Sequence, residues 1–150
     1  QEVATRAIPI AERFFSGGGS THRGFGLNQA GPRDVVTGFA VGGNALLLNS
    51  VEMRHPVWQS LVGVLFHDMG NVFSSVRDLT LKANQDSAAD FNFMTHAVGL
   101  GVRYETAVAP IRFDVGYTLN PTRYPVVKDD VTETRHLSRW QFLFSVGQTF

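Results

Sequence analysis

From Trp140 to the C-terminal Phe150 the chain alternates almost without a break. Trp140, Phe142, Phe144, Val146 and Phe150 fall on one face. Gln141, Ser145, Gly147 and Thr149 fall on the other, with Leu143 the only apolar intruder. A period of two over this length is a single strand, apolar on one side and small or polar on the other. A tilted strand needs about 9–11 residues to cross a bilayer, and a terminal row of aromatics suits a lipid-facing wall. The expected class is all-β: an antiparallel transmembrane barrel, closed in part by this last strand.

The same period recurs upstream. Ile111, Phe113, Val115, Tyr117 and Leu119 oppose Arg112, Asp114, Gly116 and Thr118. Val98, Leu100, Val102 and Tyr104 oppose Ala97, Gly99, Gly101, Arg103 and Glu105, and Ala107 to Pro110 is a tight connection between these two strands. Leu61 to Phe73 is more apolar, with Val62, Val64, Phe66 and Asp68 on one side and Leu61, Leu65 and Met69 on the other. Gly43 to His55 sets Ala45, Leu47, Val51 and Met53 against Ser50, Glu52 and Arg54, and Pro56, which lacks a ladder donor, is expected to end it. Short connections (His55 to Ser60, Ala107 to Pro110) alternate with long polar ones (Ser74 to Asn92, Asn120 to Ser138). Outer-membrane barrels have this layout, with turns on the periplasmic side and loops outside. A soluble antiparallel sandwich also alternates, but it hides its apolar face and exposes its charged one. Here the bulky aromatics share one face and glycine, Arg, Asp and Glu the other, which fits a lipid wall and a watery lumen better.

Several functional classes find no support. Thirteen basic and thirteen acidic residues cancel, so nothing favours nucleic acid. Cysteine is absent, which excludes thiol chemistry and disulfides. His22, His55, His67, His96 and His136 lack metal-ligand spacing, no serine sits in a nucleophile elbow, and the carboxylates are scattered. Neither catalysis nor a cofactor is expected. Residues 1–36 differ from 37–150. Ile8 to Phe15 could end a strand, and Ser16 to Gly31 holds too much glycine for regular structure. The Lys-Ser/Thr of a nucleotide loop is missing. A glycine-rich stretch that carries Arg23 and Phe25 is expected to pack against something.

These residues, in order, resemble the BamA/TamA superfamily of outer-membrane assembly factors, which includes two-partner-secretion transporters. Pro9 and Glu12-Arg13-Phe14-Phe15 lead through Gly17-Gly18 to Arg23-Gly24-Phe25, which is similar to the family's Val-Arg-Gly-Phe loop signature. His22 departs from it, standing where the family usually has an aliphatic residue. Gly31-Pro32, Gly42-Gly43-Asn44 and Ser50-Val51-Glu52 follow. Phe66-His67-Asp68-Met69-Gly70 resembles the Phe-x-Asp-x-Gly strand motif. Gly99 to Tyr104, Pro110 to Tyr117 and the terminal Phe144 to Phe150 complete the series, which spans nearly the whole chain.

The resemblance implies a bacterial-type outer-membrane location and about five C-terminal barrel strands behind an inward-folding loop, with further strands and periplasmic domains upstream. The smallest ordinary membrane barrels have about eight strands, so the chain is expected to be a fragment or to complete itself with other copies. It further implies a lumen latch in which Arg23 meets Glu52 and Asp68. Gly24 would supply close approach and an unusual φ, Phe25 would pack on Phe66, and Gly70 would complete the strand motif. Trp140, Phe142, Phe144, Val146 and Phe150 would form a terminal-strand assembly signal. Implied partners are membrane lipid, unfolded outer-membrane proteins or a secreted polypeptide, and periplasmic or lipoprotein subunits. The implied activity is insertion of barrel proteins by strand exchange at a lateral seam; secretion of a dedicated polypeptide and a passive structural or adhesin barrel are the alternatives.

Overall fold

Alternating segments become one meandering antiparallel sheet in the computed structural model, which describes residues 8–128 and 131–147. Its strands are β1 (Ala45–Trp58), β2 (Leu61–Phe73), β3 (Thr95–Tyr104), β4 (Ile111–Thr118) and, after an intervening hairpin, β7 (Trp140–Val146). The order is β1-β2-β3-β4-β7, and the sheet does not close into a barrel. The hairpin, β5 (Arg123–Lys128) and β6 (Val131–His136), forms a separate two-stranded sheet. It occupies most of the stretch expected to be an irregular loop from Asn120 to Ser138.

Register carries each strand's alternation coherently across the sheet. One inward row reads Glu52, Phe66, Gly99, Gly116 and Gln141. The outward face keeps Val51, Met53, Leu65, Leu100, Phe113, Phe142 and Phe144 exposed, whereas inward Val64, Phe66, Asp68, Ala97 and Asp114 are buried. Buried carboxylates and exposed aromatics are the reverse of a soluble sandwich, and they identify the outward face as a lipid wall.

Three local expectations are corrected. Pro56 does not end β1: it pairs with Val62, and the strand continues through an irregularity to Trp58 before the turn at Gln59 and Ser60. A proline is tolerated there because the pairing is irregular between Pro56 and Trp58, a bulge position where the ladder does not require its N–H. Ile8 to Phe15 is not a strand end; it holds a 3-10 turn at Ile10–Glu12, and Phe14 makes one isolated bridge to Gly43. β7 stops at Val146, where Gly147 takes a φ of 101°. Phe150, assigned to the terminal row, lies outside the described residues.

Residues His22, Arg23, Gly24, Phe25 and Ala30 pack on the inward face, and the irregular segment that carries them runs past residue 36 to the start of β1 at Ala45. Phe25, Ala30 and Val72 form a buried cluster with Leu46 and Leu137 packed on it. A second cluster joins Ala45, Phe73 and Met94 at the end of the sheet where the long connections lie.

Candidate functional site: a buried arginine between loop and wall

The loop reverses direction at Gly17 and Gly18, whose φ values of 123° and 98° lie in the left-handed region that glycine tolerates. The Gly18 N–H donates to the Phe25 carbonyl at 3.0 Å, closing a short excursion that carries His22, Arg23 and Gly24 to its tip. That tip lies on the inward faces of β1 to β4.

Arg23 is almost fully buried and every edge of its guanidinium is used. Nε donates to Asp68 Oδ2 at 2.7 Å and Nη2 to Asp68 Oδ1 at 2.6 Å, a bidentate fork, while the Arg23 backbone N–H reaches Oδ2 at 2.9 Å. Nη2 also donates to Ser50 Oγ at 3.0 Å, and that hydroxyl donates to Asp68 Oδ1 at 2.7 Å. Nη1 pairs with Glu52 Oε1. The guanidinium carbon lies 3.6 Å from the centre of the Phe66 ring, a cation–π contact. A buried charge must be neutralised and hydrogen-bonded to be tolerated, and this one is.

The backbone beside it needs an almost bare wall. A β-carbon on Gly116 would come within 2.4 Å of the Arg23 carbonyl oxygen, and one on Gly99 within 2.3 Å of the Phe66 ring. Gly116 therefore makes room for the loop, and Gly99 for the Phe66 ring that Arg23 covers. Gly24 works in the same way: a β-carbon there would sit 2.6 Å from that of Ala97 and 2.9 Å from Thr118 Oγ1, and Thr118 donates to the Gly24 carbonyl at 2.7 Å. Its φ is not in the left-handed region, so close approach alone explains this glycine. Gly70 faces its own strand neighbours, with a β-carbon 2.6 Å from the Leu47 carbonyl and from Leu48 Cδ2. Phe25 packs on Ala30 and Val72 and lies edge-on to His22, with ring centres 4.9 Å apart. The group covering Phe66 is Arg23, because the loop turns Phe25 away along its short excursion.

His22 holds the tip from the other side. Its Nε2 lies 3.0 Å from the Thr95 carbonyl, and Nδ1 lies 3.1 Å from the Gly24 nitrogen. These partners suit one neutral tautomer, with Nε2–H donating and Nδ1 accepting from the Gly24 N–H. Burial pushes the imidazole below its ordinary pKa, against the raising effect of the Thr95 carbonyl and Asp68.

Sequence reasoning did not single out the rest of the charge network. Arg54 donates to Glu52 Oε2 through Nε at 2.9 Å and Nη2 at 2.8 Å, and Arg103 Nη2 lies 3.7 Å from Glu52 Oε1. Arg103 in turn donates to the buried Asp114 at 2.5 Å, and Arg112 Nε reaches the same carboxylate at 2.5 Å. Their inward alternation was visible, but which of them meet depends on register. Of the terminal row, Trp140, Phe142, Phe144 and Val146 all face outward from β7 and are exposed. Among the described residues no group of His, Asp and Glu is arranged to hold a metal ion.

Comparison with known proteins identifies the family. The Omp85 superfamily domain matches residues 2–150. The outer membrane protein assembly factor BamA of Nitratidesulfovibrio vulgaris is 29% identical over 146 residues, which is 95% of this chain and 16% of that protein. BamA of Neorickettsia risticii is 32% identical over 118 residues, 76% of this chain and 15% of that protein. Among solved structures, Haemophilus ducreyi BamA lacking POTRA domains 1–3 superposes with a TM-score of 0.60 at 19% identity, over 93% of this chain and 28% of that one. The chain thus spans about a sixth of the length of the curated relatives it matches.

Proposed function

We propose that this chain, which belongs to the Omp85 superfamily of bacterial-type outer membranes, is the C-terminal wall of an assembly factor that inserts barrel proteins through a seam at β7. The observation that carries this is the thinning of the sheet toward that strand. From β1 to β7 the strands run 14, 13, 10, 8 and 7 residues. β7 is hydrogen-bonded to β4 through seven residue pairs, the shortest ladder of this sheet, and its far edge is where a longer barrel would close. An unpaired edge presents backbone donors and acceptors in a row, to which an incoming strand can add. Its outward aromatics would keep such a strand at membrane depth. No covalent step or cofactor is needed, since the exchange trades one ladder for another.

Arg23 acts as the latch in this scheme. It anchors the loop to β1 and β2, the long end of the sheet, and leaves β7 free to exchange partners. Unfolded outer-membrane proteins are the clients, and the upstream strands and periplasmic domains of the whole protein would deliver them with any lipoprotein subunits. The loop across the inward face also supports a second reading, a polypeptide-secretion pore that the loop gates.

Site-specific crosslinking separates the two. The chain has no cysteine, so single cysteines at Gln141, Leu143 or Ser145 of β7 can be paired with cysteines along a client strand during assembly in cells. Insertion predicts crosslinks in one register that shift by two residues as the β7 position shifts by two. Clients captured instead by cysteines at Gly19 or Ser20 in the loop, with none at β7, would support the pore and overturn the seam.

A further inference from the structure

A cavity of about 480 Å³ opens among the long connections, walled by Asn84, Asn120, Arg123, His136 and Arg139 among others, with no carboxylate in its lining. The lipid-facing side of the sheet holds a separate groove of about 330 Å³, formed by Leu65, Val98, Leu100, Val115, Tyr117 and Trp140. One residue pair spans the two: Arg139 lines the cavity, and its guanidinium carbon lies 6.0 Å from the ring centre of Tyr117, which lines the groove. Tyr117 and Trp140 stand edge to face at 4.8 Å on the outward surface, an amphipathic pair of the kind that marks a membrane–water boundary.

We infer that cavity and groove together bind one phosphorylated, acylated lipid of the outer leaflet, with its phosphate at Arg123 and Arg139 and an acyl chain along Leu65, Leu100 and Val115. Charge selects an anionic head group. Arg123 spends one nitrogen on the Gln85 carbonyl at 3.0 Å, and Arg139 one on the carbonyls of Thr118 and Leu119 at 3.4 and 3.1 Å. A guanidinium has five N–H donors in a fork that matches phosphate oxygens, so both retain donors. Among the described residues neither has a carboxylate partner, and the nearby acids are already held: Lys82 pairs with both Asp86 and Asp90. A soluble anion would leave the adjoining apolar groove unfilled; a lipid fills both.

The probe is diphosphoryl lipid A, compared with its dephosphorylated form and with inorganic phosphate, on the membrane-reconstituted protein, with co-purifying lipid counted by native mass spectrometry. Retention of the diphosphoryl form over the dephosphorylated one by at least about tenfold is expected from two charge-assisted contacts. The double variant Arg123→Gln/Arg139→Gln should abolish that preference, while Arg135→Gln, on an exposed pair with Glu133, should not. Asn84→Asp adds a negative charge to the lining and keeps both arginines, so it should weaken retention even if the double variant misfolds. Equal retention of both lipid A forms would overturn the inference. So would tight binding of inorganic phosphate unaffected by lipid, which would make this a site for a free anion.

Discussion

At the scale of single residues, the centre of this protein is one desolvated guanidinium, and its energetics are those of a buried ion pair. Such a pair contributes little compared with an apolar replacement, but removing one partner leaves the other charged and buried, at a cost of about 3–5 kcal/mol. Arg23→Ala should therefore release the loop rather than merely weaken it. A double-mutant cycle with Asp68→Ala, read by loop protease sensitivity or by denaturant midpoint, should give a coupling of roughly 0.5–3 kcal/mol. Strict additivity would show that the two side chains do not meet. Arg23→Lys should rescue poorly, since an ammonium cannot reproduce the fork to Asp68 together with the contacts to Ser50 and Glu52. His22 adds a pH dependence of definite sign. Its pKa is lower in the folded loop than in the released one, so the released loop binds more protons as pH falls below the ordinary histidine range. Loop docking should accordingly weaken from about pH 7.5 to pH 5. A proton on Nδ1 would also oppose the Gly24 N–H. The charged groups acting on the ring, Asp68 and Arg23, have opposite effects on it. His22→Asn should flatten the protease-sensitivity profile over that range, and an unchanged profile would assign the dependence to another group.

At the scale of elements, β7 combines a short ladder with a full outward aromatic row, so its two roles can be separated. Phe150 continues that row in sequence. If it serves as an address read by assembly machinery, deleting it should block surface assembly in cells far more than it lowers the denaturant midpoint of the refolded protein. The thermodynamic loss is bounded by about 1.5–3 kcal/mol for one fully buried apolar side chain. Comparable modest effects in both assays would make Phe150 an ordinary wall residue. The β5–β6 hairpin belongs to a different layer. It holds the loop's second half, where the Val127 N–H donates to the Val35 carbonyl at 2.8 Å and Arg33 lies 4.7 Å over the Tyr124 ring.

At the scale of the whole molecule, the lipid wall and the charged lumen form two faces of one sheet. The outward band of Val51, Met53, Leu100, Phe142 and Phe144 is far more exposed than a water-soluble surface tolerates as a continuous patch. The isolated chain should therefore partition into detergent or aggregate without it. A monodisperse, detergent-free monomer with cooperative unfolding would overturn the membrane assignment. These five strands form an open sheet with edges at β1 and β7, too few to close a membrane barrel by themselves.

Alternation by itself determined the strands, their inward and outward faces, and the placement of Glu52 and Asp68 toward one compartment; the family resemblance alone carried Arg23 there. Period two is a local property of the extended backbone, so neighbouring residues suffice to reveal it. Family resemblance added the loop signature. The sequence order of strands did not disclose register, and register alone brings Ser50 beside Asp68, links Glu52 through Arg103 to Asp114, and leaves Gly99 beside the Phe66 ring and Gly116 beneath the loop tip. The continuation of β1 past Pro56 needed the register irregularity between Pro56 and Trp58 to be known, since a missing donor matters only where a partner strand expects one. The family resemblance implied that Phe25 would pack on Phe66. Only the folded loop, with its reversal at Gly17 and Gly18, decided that the cation covers Phe66 and the phenyl ring turns toward Val72. Contacts distant in sequence depend on how the backbone closes on itself, which no local pattern encodes.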